Sequence, residues 1–271
     1  MVFGMSTACF FPHTYIEDAV SLIGSMGVRS LEVFFSCFSE YRKPFVSELK
    51  TRACDSGVDI FSVHAYSLSF EPQLFSRHER ARHEALGIFE SVLEAGAALG
   101  AGIYVFHGPV HLKKSQSLLL DYEAVAARVH PLAELAKAYN IRLAWENVHY
   151  CWYDQPCFPE RIAPYLETDN LVFTLDIKQA AQAGYAPADF IAPAASRLAN
   201  IHICDYAYDS ARGIVPKLPF DGCMDFCAFK TALETAGYNG ALIFEVYEEN
   251  YAAHTELFDS FKCTEAFFDK A

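Results

Sequence analysis

Residues 141–148 read IRLAWENV and residues 171–177 read LVFTLDI. Each is a short run of β-branched, aliphatic and aromatic residues, apolar enough for a strand shielded on both faces, and each carries a carboxylate near its end, Glu146 and Asp176. Six further runs share the pattern: 5–11 (MSTACFF), 30–36 (SLEVFFS), 59–66 (DIFSVHAY), 103–107 (IYVFH), 199–205 (ANIHICD) and 240–247 (GALIFEVY). Amphipathic stretches at 16–27, 44–56, 78–99, 121–139 and 225–236 lie between them, several followed by a glycine fit for a left-handed C-cap, Gly57, Gly100 and Gly237. Eight strands alternating with helices predict an α/β protein, a single (β/α)8 TIM barrel over residues 1–271, at about 34 residues per unit.

Composition agrees with parallel strands under a coat of helices. Hydrophobic residues make up 52% of the 271, and the mean hydropathy is +0.11. No uncharged apolar run reaches the roughly 18 residues of a membrane span, and no Lys or Arg precedes Arg29, so neither a span nor a signal peptide is expected and the protein is placed in the cytoplasm. Nine cysteines without a CxxC pair read as reduced thiols. The net charge of −13 opposes a nucleic-acid backbone, and no basic patch offsets it. No internal repeat, low-complexity tract or linker divides the chain, whose apolar content leaves room for a homo-oligomer interface.

The chemistry is expected at the strand ends. His64, His107, Glu146, Asp176, His202 and Glu245 each interrupt an apolar run near its C-terminal end, where a barrel gathers them at one mouth. Such a group costs several kcal/mol unless a cation or substrate compensates. Three carboxylates and one imidazole, Glu146, Asp176, His202 and Glu245, form a hard donor set for one divalent ion, favouring Mn²⁺, Mg²⁺ or Co²⁺, with Zn²⁺ possible. Segments 149–160 and 206–224 each follow a strand and so lie on the same face. Trp152, Tyr153 and 206–224 predict a partly apolar lid or, equally, a patch packed on another subunit. Trp145 is expected to point to the helices, since Glu146 points in.

The motifs VHAYS (63–67), VFHGP (105–109), WEN (145–147), TLDIKQA (174–180), IHICD (201–205) and FEVY (244–247) together resemble the xylose-isomerase-like superfamily of sugar isomerases, epimerases and apurinic-site endonucleases. The resemblance implies a metal-dependent isomerase or epimerase of a carbohydrate, with Glu146 and Glu245 as both metal ligands and proton-transfer pair, and Asp176 and His202 as ligands only. Substrate contacts are expected from His64, His107, Lys178, Gln179, Asp205, Arg212 and Trp152. Two positions depart from the epimerases: Gln179 stands where they have a substrate-contacting histidine, and Tyr208 where they have an arginine, with Arg212 four residues further on. An inosose-type dehydratase or lyase could use the same site. The endonuclease alternative lacks a histidine at 179 and an Asp-x-His element within 214–225, and a non-catalytic sugar-binding barrel is the remaining alternative. No glycine-rich phosphate loop is present, which favours an unphosphorylated substrate, although Lys178, Lys217 or Arg212 could meet a phosphate locally.

Overall fold

In a computed structural model, described for residues 1–111 and 120–269, eight parallel strands close in the order β1-β10-β7-β6-β5-β4-β3-β2. The barrel strands are β1 (Val2–Ser6), β2 (Ser30–Phe35), β3 (Asp59–Ala65), β4 (Ile103–Phe106), β5 (Arg142–Glu146), β6 (Leu171–Asp176), β7 (Leu198–Ile203) and β10 (Ala241–Phe244). An antiparallel hairpin, β8 (Asp205–Asp209) and β9 (Gly213–Lys217), follows β7. Around the barrel run α1 (Ile16–Ser25), α2 (Lys43–Ser56), α3 (Glu71–Leu74), α4 (Glu79–Leu99), α5 (Tyr122–Ala138), α6 (Phe158–Ile162), α7 (Ile177–Ala183), α8 (Ile191–Ala194), α9 (Phe226–Thr235) and α10 (His254–Asp269). The expected (β/α)8 barrel is the observed one.

Side-chain chemistry fixes the helix ends. Asp121 and Asp225 accept from the backbone N–H of Ala124 and Ala228, 3.1 and 2.9 Å away, starting α5 and α9. Gly57 and Gly100 close α2 and α4 in the left-handed region, at φ 64° and 89°. One strand differs from the sequence reading. β1 spans Val2–Ser6 rather than 5–11, because the Ser6 hydroxyl accepts from the Ala8 N–H (3.3 Å) and turns Thr7–Phe10 into a 3-10 helix. Ala8, Cys9 and Phe10 are buried there without being a strand, while Phe11 is exposed.

Strand alternation divides the residues between two environments. Trp145, fully buried, packs outward against Phe106 and Phe158, with ring centroids 5.5 and 5.0 Å away, as the alternation predicts. Inside the barrel Ile103, Val105, Ala144, Val172 and Ala199 form a small apolar layer. Towards the C-terminal ends the interior turns polar: Glu32, Ser62, His64, Glu146, Thr174, Asp176, Asn200, His202 and Glu245 are all buried. Such a layer is a site rather than a core, since buried carboxylates demand partners. Among the described residues no helix is long and apolar enough to cross a membrane, and all nine cysteines are free thiols.

Candidate functional site

Four strands supply the expected ligands. Glu146 ends β5, Asp176 ends β6, His202 lies in β7, and Glu245 follows β10. Pairing of Asp176 with His202 and of His202 with Ile243 sets them at one level of the barrel. His202 Nδ1 is the point of convergence: Glu245 Oε2 lies 3.0 Å away, Glu146 Oε1 3.3 Å and Asp176 Oδ2 3.8 Å. Asp176 also caps α7, its Oδ1 accepting from the Gln179 N–H at 2.7 Å, which leaves Oδ2 for the site. Asn147 grips the same turn, receiving the Asp176 N–H at 2.6 Å and donating to the Asp176 carbonyl at 3.1 Å.

The residues fit a divalent cation. His202 Nδ1, Glu146 Oε2 and Glu245 Oε2 are buried and make no aligned hydrogen bond among the described residues, an expensive state for groups that only an ion or a substrate could satisfy together. Burial alone would push the Glu146 carboxyl up, but the His107 and His202 rings beside it hold it well below the usual carboxylate range. His202 answers in the opposite sense: burial disfavours its charge, yet Glu245 and Glu32 raise it well above the ordinary histidine value. The carboxylates thus favour the protonated form of this ring, and a cation bound there would compete with that proton. A second donor set shares Glu146. His107 Nε2 sits 2.7 Å from Glu146 Oε2 and 2.8 Å from His64 Nε2, and the Ser67 hydroxyl lies 2.5 Å from His107 Nδ1.

Above these groups opens a cavity of about 130 Å³, lined by His64, His107, Glu146, Lys178, Gln179 and Glu245 together with Ala8, Phe34, Tyr66, Ser67, Tyr150 and Tyr247. That is well below the ~300 Å³ at which pockets for drug-sized ligands begin, so it suits a small molecule or the reacting end of a larger one. A recess of about 830 Å³ lies beside it, between Phe11–His13 and Tyr247–His254, and contains none of the four ligands. Lys178 stands on the cavity wall with its ammonium 3.0 Å from the Tyr247 hydroxyl and 3.8 Å from Asp176 Oδ2. Gln179 accepts from the His149 backbone N–H at 3.3 Å, and its Oε1 lies 2.6 Å from the His149 ring.

Three expected substrate contacts lie elsewhere. Asp205 turns into its own loop, where its oxygens accept the N–H groups of Tyr206, Gly222 and Met224 at 2.7, 2.8 and 3.0 Å. Arg212 is exposed at the hairpin tip, 3.9 Å from Asp209. Trp152 packs edge-on against Phe75, at 5.4 Å. The lid differs in the same way: Tyr153 is buried in a stack on Phe158, and the hairpin leans on α7, with Gln182 donating to the Ile214 carbonyl. These apolar and acidic groups find partners in the helical layer and in their own loop, so none of them lines the cavity. Two buried carboxylates escaped the sequence reading. Glu32 of β2 lies beneath the ligands. Glu71 opens α3 and holds the turn after β4 by accepting the N–H groups of His107 and Gly108 at 2.8 and 2.9 Å. A carboxylate inside the apolar run SLEVFFS was the available signal for Glu32.

Residues 20–266 match the family described as xylose isomerase-like TIM barrel. The chain belongs to that family. No curated protein sequence matches it significantly. Solved structures like this member of the family include a D-tagatose 3-epimerase-like protein (TM-score 0.80, 18% identity, 99% of this chain and 97% of that one). An IolI protein with a bound zinc atom gives TM-score 0.79 at 16% identity, covering 99% and 98%. A D-psicose 3-epimerase from Clostridium cellulolyticum H10 gives 0.78 at 17%, again covering 99% and 98%. At these identities the likeness is one of fold.

Proposed function

We propose that this protein is a divalent-metal-dependent isomerase or epimerase of a small polyhydroxy ketone or aldehyde, working by proton transfer through an enediolate. The observation that carries the reading is the convergence of Glu146, Asp176 and Glu245 on the Nδ1 of His202, next to a small cavity that Glu146 and Glu245 line. Glu146, Asp176, His202 and Glu245 would hold the ion, which when bound supplies Lewis-acid polarisation of the substrate's oxygens. The remaining chemistry belongs to the chain. Glu146 and Glu245 come from β5 and from the end of β10, three strands apart around the barrel, so a carbon held between them meets a carboxylate from two directions. One takes the α-proton and the other returns a proton to the opposite face or the adjacent carbon. His107, 2.7 Å from Glu146 Oε2, keeps that carboxylate ionised and ready to act as base. Phe34, Tyr66, Tyr150 and Tyr247 wall the cavity and limit access of water that would protonate an enediolate on either face. A carbohydrate substrate accords with the sugar epimerases among the structural neighbours.

The test is incubation of metal-loaded enzyme with a panel of ketoses and inositol-derived ketones in D₂O. Deuterium is expected at one carbon, and Glu146→Gln or Glu245→Gln at verified metal loading should slow exchange by roughly 100-fold or more, the usual worth of a positioned base. Absence of exchange across the panel, or wild-type exchange in both variants, would overturn the reading. Loss of water from the exchanged product would redirect it to a dehydratase using the same two carboxylates.

A further inference from the structure

Glu32 is a fully buried carboxylate that does not line the cavity. Its partner in register is Ser62, and it lies one layer below the mouth, under two histidines whose ring centroids are 5.9 Å apart. Its Oε2 accepts from the Ser62 hydroxyl at 2.7 Å and lies 3.3 Å from His202 Nε2. Its Oε1, without an aligned hydrogen bond among the described residues, lies 3.9 Å from His64 Nδ1. An ionised carboxylate only accepts, so a ring nitrogen that faces it is best satisfied when it carries the proton.

We propose that Glu32 is the positioning residue that keeps a proton on His202 Nε2 and on His64 Nδ1, so that with an ion bound both histidines turn a bare nitrogen, Nδ1 and Nε2 respectively, towards the site. The surrounding contacts agree. His202 Nδ1 is the atom on which the three carboxylates converge, so an ion held by them would take its lone pair there. His64 Nε2 lies 2.8 Å from His107 Nε2, which must then be the donor; that N–H is shared with Glu146 Oε2 at 2.7 Å, and the Ser67 hydroxyl meets His107 Nδ1 at 2.5 Å. Asn200 competes, because its Nδ2 lies 3.3 Å from His202 Nε2 and would call for the opposite tautomer by donating there. The same amide nitrogen is 3.5 Å from Glu32 Oε2, and a charge-assisted contact between ring and carboxylate outweighs a neutral amide donating to the ring. A carboxylate behind a ligating histidine fixes ring orientation and raises ligand basicity. Here one carboxylate serves two rings.

This inference rests on the reading of His202 as a metal ligand, and its test separates the two. Calorimetric titration with Mn²⁺ should show Glu32→Gln binding roughly 10- to 100-fold more weakly than wild type, since glutamine offers one acceptor where two rings need one each. In ¹⁵N-histidine-labelled, Zn²⁺-loaded wild type, long-range ¹H–¹⁵N spectra should place the His64 proton on Nδ1 and the His202 proton on Nε2, both far downfield and slow to exchange. If wild type binds no metal, the reading of the centre and this inference fall together. If the variant binds Mn²⁺ within twofold of wild type, or if the wild-type spectrum puts the His64 proton on Nε2, Glu32 has no positioning role and the metal centre stands without it. The wild-type spectrum decides even if the variant does not fold.

Discussion

A single buried acid shows how far burial can move a side chain from its ordinary behaviour. Glu71 is enclosed, and burial pushes its carboxyl up to about 7, while the charge of His107 and the hydrogen bonds from Tyr104, Gly108 and His107 restrain the rise. The folded protein thus holds this proton more tightly than the unfolded chain, whose carboxyl lies near 4.5. The stability it contributes is complete below about pH 4.5 and is lost as pH rises through about 7. Glutamine keeps an oxygen for the His107 and Gly108 N–H groups and has no proton to lose. Glu71→Gln should therefore gain on wild type as pH rises from 5 to 8.5, by up to about 3 kcal/mol or several degrees of melting temperature. Thermal melts of both proteins across that range check it, and parallel pH profiles would show that Glu71 ionises without cost in the fold.

At the scale of the element, the segment after β7 is held by one side chain. Asp205 accepts three backbone N–H groups from residues 206–224, and Gly222 approaches so closely that a Cβ there would fall 2.4 Å from Asp205 Oδ1. Asp205→Ala strands those donors at about 1.5–3 kcal/mol for each charged hydrogen bond, and the loss should stay local because the barrel strands keep their pairing. Limited trypsin digestion should then cut after Arg212 or Lys217 at least roughly tenfold faster than in wild type, following the local opening energy; an unchanged rate would mean that contacts with α7 alone hold the hairpin. The sequence placed this segment on the correct face, because position after a strand is a matter of chain order. It did not show that Asp205 faces its own loop rather than the cavity, since one aspartate at a strand end serves either purpose. His64, His107, Glu146, Asp176, His202 and Glu245 were legible because strand parity and strand ends are periodic properties. Glu32 lies in mid-strand beside a register shift at Leu31/Glu32, where a search of strand ends does not look. The first strand was misplaced because an apolar run reports burial, and a capped 3-10 turn can be buried as well as a strand.

Over the whole molecule, folding brings Glu32, Glu146, Asp176 and Glu245 together from four strands of a chain already carrying a net charge of −13. Lys178 beside Asp176 and His202 beside Glu245 lie among these carboxylates. The site thus gathers more acids than bases, and an ion bound there would tie β5, β6, β7 and β10 in a way the unfolded chain cannot reproduce. Metal at about 100 times its dissociation constant should stabilise the fold by about 2.7 kcal/mol, and chelation should lower the melting temperature by several degrees. Asp176→Asn separates ligation from repulsion. Asparagine keeps the oxygen that caps α7 at the Gln179 N–H but removes one negative charge beside Glu146 and Glu245. The metal-free variant should melt at or above metal-free wild type and gain little from added Mn²⁺, so the two proteins exchange order when metal is supplied. Melts of both proteins with chelator and with Mn²⁺ measure this directly. If chelation leaves wild type unchanged, or if Asp176→Asn gains as much from Mn²⁺ as wild type does, the carboxylates are balanced by the chain alone and the four residues do not form a metal centre.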